Sequence, residues 1–209
     1  MPSVGATNIF NLGSGFEVQN SSTPTTFKVV KTRKGNSNGA CMRRFEETVN
    51  ATATYKVCGT PTLQLSLGGV VNGFIIVRVT ATHEAGEDPE VVVEGTAYDG
   101  NETVRARTFA ISHAFTEDVV GQISGMDATQ TTHVWELQLA TGMGGNGQIK
   151  FANPHSGDKT YTEEGLGSFA SEPSIEGYEC EEYTPNDDNQ ELNTYSATFT
   201  KMIDLTEPA

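Results

Sequence analysis

The residues best suited to acid–base or metal chemistry in this chain are its four histidines, His83, His113, His133 and His155. No two of them have the i, i+4 spacing that places both imidazoles on one face of a helix to bind zinc. No local nucleophile signature stands near them that would indicate a Ser/His/Asp or Cys/His set. The sequence therefore predicts scattered histidines, no catalytic residues and no metal-binding residues, in a protein that is not an enzyme.

A glycine-rich run from 142 to 150, GMGGNGQIK, superficially resembles a phosphate-binding loop. Such a loop needs Gly-Lys-Ser/Thr leading into a helix, so that backbone N–H groups and the lysine point at one phosphate. Here Gln148 stands where the lysine belongs, and the Phe151–Pro154 segment is a poor start for a helix. A β-turn is the better interpretation, and we expect no cofactor.

Two further candidates have simpler interpretations. Asp187, Asn189 and Glu191 alternate oxygen ligands as a calcium loop does, but the glycine at the sixth position and the glutamate at the twelfth are missing. A solvated acidic loop is expected instead. Trp135 has Val134, Leu137 and Leu139 close by in the sequence, which favours a core or interface anchor over a sugar-stacking platform.

The three cysteines, Cys41, Cys58 and Cys180, are an odd number and lack the spacing of metal ligands. Free, buried thiols in a reducing compartment are the expected state.

The net charge of −14 argues against specific nucleic-acid binding, because phosphate contacts need clustered lysine and arginine. One basic cluster exists, and a polar edge strand with its loop is the favoured explanation for it: Lys28, Lys31, Arg33, Lys34, Arg43 and Arg44. No stretch approaches the roughly 18 consecutive apolar residues of a spanning helix, so no membrane span is expected.

Alternation of apolar and polar residues with a period of two recurs along the chain and predicts strands. The strongest region is 48–99, which we interpret as a four-strand antiparallel meander with a hairpin turn at Asn72-Gly73. Further strands are predicted at 15–20, 26–31, 105–112, 133–141, 174–183 and 194–204. The fold class is all-β, an antiparallel β-sandwich or partly closed barrel with long loops.

Long polar segments at 141–146, 153–171 and 184–193 are interpreted as loops, since they lack apolar content. At most one or two short helices are expected. Cys41, Phe45 and Val49 fit either a short helix or an extended edge strand, and Glu117–Ile123 fits one helical turn. Residues 1–209 are predicted to form one β-domain with an N-terminal arm, although a change in composition near residue 125 leaves a subdivision open.

Two segments give the chain a resemblance to a known class of proteins. They are the run from Gly68 to Val79, GGVVNGFIIVRV, and the strand PxVxVxG from Pro89 to Gly95, with the 194–203 strand in support. On these residues the chain resembles tube subunits of phage tails and related injection machines.

The resemblance implies a self-assembling virion subunit, formed in the host cytoplasm, whose partners are copies of itself and other virion proteins. Stacked rings with an acidic lumen would let DNA pass without sticking. The alternatives are a capsid decoration or accessory virion protein, an extracellular carbohydrate-binding or adhesin sandwich, and a hydrolase of unrecognised type.

Overall fold

A computed structural model describes residues 7–33, 41–98, 107–143, 149–167, 172–186 and 193–205. Over these ranges the chain is all-β, with antiparallel strands and no helix, as the sequence predicted. The strands are β1 (Phe16–Ser22), β2 (Thr25–Arg33), β3 (Cys41–Val57), β4 (Thr62–Leu67), β5 (Val70–Val71), β6 (Phe74–Glu84), β7 (Glu90–Tyr98), β8 (Phe109–Ala114), β9 (Asp127–Met143), β10 (Ile149–Leu166), β11 (Glu179–Asn186) and β12 (Thr194–Met202).

Ten of the strands form one large sheet, in the order β1-β3-β7-β6-β9-β10-β12-β11. β2 continues the line of β1 along the same partner, because Ser22 pairs with Thr52 of β3 and Thr25 pairs with Val49. β5 adds a short hairpin to β6. The sheet is open and is not a closed barrel.

The two faces of this sheet differ sharply in burial. One row across the central strands consists of Tyr55, Val91, Ala81, His133, Tyr161 and Phe199, all of which are buried. The adjacent row consists of Thr54, Val92, Thr80, Val134, Thr160 and Thr200, all half-exposed. The period of two thus separates a core face from a threonine-rich outer face.

A second layer covers the core face. The two-stranded sheet β4–β8 contributes Leu63, Leu67 and Ile111 to the main hydrophobic cluster, and the N-terminal segment adds Phe10. A smaller cluster lies further along the sheet, where Ile123 packs with Tyr161, Tyr195, Ala197 and Phe199. The arrangement is sandwich-like, although the second layer is only partly regular.

Two predictions about local structure were wrong. Residues 48–98 form antiparallel β-structure, but they are not a meander, because β7 lies between β3 and β6 while β4 leaves to pair with β8. No helical turn forms at Glu117–Ile123. Cys41–Val49 is strand, which decides between the two alternatives that the sequence left open.

The largest error concerns 153–171, because residues 153–166 belong to β10 rather than to a loop. Asn153-Pro154 and Ser156-Gly157 are typical turn residues, which suggested a loop. The strand accommodates them at a bulge between Pro154 and Ser156, where the register with β9 shifts. β12 pairs with β10 only from Asp158 onward, so among the described residues Pro154 has a strand partner on one side only. A proline there lacks the backbone N–H, but few inter-strand hydrogen bonds are lost because the second side is not paired at this position.

Two hairpins extend beyond the body of the sheet. Residues 41–47 of β3 pair only with β2 among the described residues, and residues 137–143 of β9 pair only with β10. The registers place both extensions at the end of the sheet where Tyr98 and Phe74 lie. Two two-stranded ribbons therefore project from the same end.

The predicted turn at Asn72-Gly73 is confirmed. Val71 pairs with Phe74, and the two loop residues have φ values of 50° and 85°, the left-handed pair that a tight two-residue hairpin uses. The Asn72 side chain donates a hydrogen bond to the Ile9 carbonyl at 2.7 Å, which ties the N-terminal segment to this turn.

Replacing Gly73 with alanine is expected to lower the free energy of unfolding by about 1–2 kcal/mol, the cost of a left-handed conformation for a residue with a Cβ. No atom lies within 4 Å of the added Cβ, so the cost comes from the backbone alone. Gly13→Ala is the matched control: its Cβ is equally free of contacts and its φ is not positive, so it should change stability by less than about 0.5 kcal/mol. Urea denaturation measures the free energy of unfolding of both variants. Equal losses in Gly73→Ala and Gly13→Ala would contradict the expectation.

Candidate functional site

The site is built by three neighbouring strands of the large sheet. The register aligns Ala81 of β6 with His133 of β9 and Tyr161 of β10, and it aligns Val79 with Trp135 and Lys159 in the next row. His83 pairs with Thr131 one row away in the other direction. Because residues two apart in a strand share a face, His83, His133, Trp135 and Lys159 all lie on the core face.

These side chains form the floor of a cavity of about 380 Å³. His83, Thr131, His133 and Trp135 are buried, whereas the residues at its rim are exposed and come from the second layer. The exposed rim residues are Ser112, Ala114, Thr116, Val120 and Gln122. The cavity is therefore a pocket that is closed by the sheet below and bordered by solvent-exposed chain above.

Aromatic rings are packed closely around His133. Its ring centroid lies 4.6 Å from that of His113 on β8, 4.6 Å from that of Tyr161 and 5.6 Å from that of Trp135, on which it stacks. The His113 ring also contacts Phe115 edge-on at 4.8 Å. His133 Nδ1 is buried and has no hydrogen-bond partner among the described residues.

The three histidines of the pocket are neutral at neutral pH. Burial, with the positive charge of Lys159 as a further cause, lowers the pKa of His133 to about 3 and that of His113 to about 4. Burial also lowers the pKa of His83, although the negative charge of Asp118 opposes the shift. Each ring therefore offers one N–H donor and one nitrogen acceptor.

A buried carboxylate fixes one wall of the pocket. Glu163 of β10 is fully buried and accepts hydrogen bonds from Tyr161, from the Tyr195 hydroxyl at 2.5 Å, and from the backbone N–H groups of Gln122 at 2.6 Å and Ile123 at 3.2 Å. Burial and the neighbouring Glu163 charge raise the pKa of both tyrosines. Four donors thus satisfy the carboxylate, which anchors the wall segment 121–123 to the sheet.

Gly121 allows this close approach. A Cβ at this position would lie 2.5 Å from Glu163 Oε1 and 2.8 Å from the Ala128 Cβ. Any side chain here would push the wall segment off the carboxylate.

The prediction of scattered histidines was wrong, since His83, His113 and His133 line one pocket. His155 lies outside it, exposed, with Nδ1 2.8 Å from the Ser156 hydroxyl. Trp135 is a buried member of the main hydrophobic cluster, which confirms its expected place in the core.

Sequence reasoning missed Lys159, Tyr161 and Glu163, because all three fell in the supposed loop 153–171. One signal was available. Tyr161 stands between Thr160 and Thr162, and threonine and tyrosine are enriched in strands.

The described residues contain no group of three or more His, Cys, Asp or Glu side chains able to hold a metal ion. In the described part of the chain no carboxylate is hydrogen-bonded to a histidine, so a base-and-orienter pair is not formed there. The predicted acidic loop at Asp187, Asn189 and Glu191 lies outside the described residues. The same holds for positions 144–148 of the glycine-rich run, so the turn expected there lies outside the described residues. The strands on either side of those positions, β9 and β10, pair with each other.

The cysteines differ from expectation in their burial. Cys58 is a free but exposed thiol, and Cys180 is free and half-buried, with a pKa raised chiefly by burial. Cys41 lies at the start of β3. No helix in the described ranges is long and apolar enough to span a membrane.

The chain matches no known family model, and it has no match among curated proteins.

Proposed function

We propose that this chain is a structural subunit that assembles with copies of itself into rings or tubes, as phage tail tube proteins do. The assembly belongs to a virion, contacts other virion proteins and has an acidic bore through which DNA passes. The observation that carries the proposal is the large open antiparallel sheet, each of whose edges pairs with a single strand among the described residues.

Both edges of the sheet are available for pairing. The edge formed by β1 and β2 bonds only to β3 among the described residues, and β11 at the opposite edge bonds only to β12. An unpaired strand edge presents N–H and C=O groups to another chain unless something blocks it. Two such edges on one subunit can form backbone hydrogen bonds with the edge strands of neighbouring copies.

The sequences of the two edges have net charges of opposite sign. The sequence of β2 contains Lys28, Lys31 and Arg33 and no acidic residue, against Glu17 in β1. Glu179, Glu181 and Glu182 of β11 are all exposed. Opposite charges favour contact between β2 of one copy and β11 of the next, whereas like charges disfavour contact of β2 with β2 or of β11 with β11. A head-to-tail contact of this kind forms a ring when its rotation closes.

The outer face of the sheet suits a water-filled bore. It carries half-exposed threonines on adjacent strands, together with more acidic than basic side chains. The acidic ones are Glu84, Glu90, Glu94, Glu136, Asp158 and Glu164, against Lys56 and Arg78, which already face Asp88 and Glu136 respectively. A polar surface with excess negative charge repels nucleic-acid phosphates.

Reversing the charge of the β11 edge should abolish assembly. In the triple variant E179K/E181K/E182K both edges carry positive charge, so sedimentation velocity should show monomers under conditions where the parent chain forms larger species. Adding salt should weaken parent assembly as well, because exposed charges are screened within about 10 Å at 0.1 M.

Two further variants distinguish edge pairing from an effect of net charge. E84K/E87K/E117K makes the same change in net charge at exposed positions away from β11, and it should assemble as the parent does. Combining the β11 reversal with K28E/K31E/R33E restores complementarity and should restore assembly. A parent chain that remains monomeric at all concentrations would refute the proposal, and so would a swapped variant that stays monomeric while folded.

A further inference from the structure

The pocket beneath the sheet has an unusual balance of charge for this protein. The chain carries a net charge of −14, yet among the described residues no aspartate or glutamate lines the pocket, whereas the cation Lys159 does, beside three neutral histidines. The charge of Asp118 acts on His83 from outside the lining, and Glu163 lies behind Gly121 with its four donors in place. The pocket is an electropositive enclosure in an acidic molecule.

Lys159 is held in the pocket by aromatic rings instead of by a carboxylate. Its Nζ lies 5.4 Å from the ring centroid of Trp135 and 5.4 Å from that of Tyr178. The described residues contain no carboxylate within ion-pair distance of this ammonium group. A cation that rests on ring faces is free to pair with an anion that enters from outside.

The remaining walls fit a small, flat and apolar body. Trp135, Phe115 and the rings of His113 and His133 surround the space, while Ser112 and Thr116 add hydroxyl groups at the rim. Ligand pockets are typically apolar and aromatic with a few polar groups that fix orientation, and span about 300–1,000 Å³. At about 380 Å³ this one is at the small end of that range.

We propose that this pocket binds a small carboxylate with a planar apolar body, whose charge pairs with Lys159 and whose body contacts the surrounding rings. The neutral imidazoles of His83, His113 and His133 supply N–H donors to the carboxylate. The proposal does not depend on whether the chain assembles.

The single tryptophan of the chain, Trp135, reports on the pocket directly. Benzoate is titrated into the full chain at pH 7.5 and constant ionic strength, and tryptophan fluorescence is recorded. Benzyl alcohol, of similar shape without the charge, is the neutral control. We expect a saturable change with benzoate and no saturation with benzyl alcohol over the same range.

Substitution of Lys159 separates a designed site from a general attraction to positive charge. Lys159→Gln should weaken benzoate binding at least tenfold, whereas Lys159→Arg should retain it. Lys201→Gln is the matched control. Lys201 pairs with Lys159 across β10 and β12, and its Nζ lies 5.8 Å from the ring centroid of Tyr178, yet it does not line the pocket. The affinity of Lys201→Gln for benzoate should equal that of the parent.

The inference is overturned by any of three results with folded protein. These are the absence of a saturable signal with benzoate, equal losses in Lys159→Gln and Lys201→Gln, or equal binding of benzoate and benzyl alcohol. Circular dichroism establishes that each variant is folded, and retention of binding in Lys159→Arg excludes a merely structural effect of position 159.

Discussion

Replacing Glu163 with alanine is expected to lower the free energy of unfolding by about 4 kcal/mol or more. The carboxylate is fully buried and accepts from two tyrosine hydroxyls and two backbone N–H groups. Its removal leaves three donors without an acceptor, each costing about 1–3 kcal/mol where water does not replace the lost partner; the Gln122 N–H keeps the Tyr161 hydroxyl at 3.0 Å. Loss of one member of a buried charged network commonly costs about 3–5 kcal/mol in total.

Two variants isolate the cause of this effect. Glu163→Gln keeps the volume of the side chain, but it replaces one accepting oxygen with an NH2 donor in a site where four donors converge. We therefore expect it to lower the free energy of unfolding by about 2 kcal/mol or more. Glu164→Ala changes the exposed neighbour and should cost less than about 0.5 kcal/mol. Urea denaturation followed by fluorescence measures all three. A loss below 1 kcal/mol in Glu163→Ala would mean that the wall segment 121–123 is held by other contacts.

Acidification from pH 6.5 toward pH 4 is expected to destabilise the fold steeply through the pocket histidines. The pKa of His133 is lowered to about 3 and that of His113 to about 4, whereas an unfolded histidine titrates near 6.5. Between these values the unfolded chain binds more protons than the folded chain, so stability falls as the pH falls. Each such histidine contributes about 1.4 kcal/mol per pH unit across its window.

Comparison of variants separates this contribution from the carboxylates, which titrate over part of the same range. His133→Phe keeps a ring that can stack on Trp135 but cannot take up a proton. Between pH 6 and 4.5 its stability should fall less steeply than that of the parent, by about 1.4 kcal/mol per pH unit. His155→Gln removes the exposed histidine outside the pocket and is the control for loss of an imidazole elsewhere in the chain. Parallel slopes for the parent and His133→Phe would show that His133 does not stay neutral through burial.

The strands were largely predictable because their cause is local. A residue pattern with a period of two identifies one buried face wherever it occurs, and the Asn-Gly pair specifies a turn from two residues alone. The order of the strands in the sheet could not be predicted in this way, because it does not depend on local sequence. β4 pairs with β8 and buries Leu63 and Leu67 in the main hydrophobic cluster, whose members come from segments far apart in the sequence.

The pocket could not be predicted for two physical reasons. Its histidines come from β6, β8 and β9, separated by up to 50 residues, and only the strand order brings them together. The third adjacent strand, β10, contains Asn153-Pro154, which local rules assign to a turn. Because that strand was interpreted as a loop, the sequence could not assign Lys159 and Glu163 to a face of the sheet.

Electron microscopy of the purified, unmodified chain tests the proposed assembly most directly. At micromolar concentration and low salt we expect closed rings or tubes with a central bore, with the threonine-rich face lining it and β2 of one copy beside β11 of the next. Isolated particles of monomer size at every concentration, with the chain folded, would contradict self-assembly through the sheet edges.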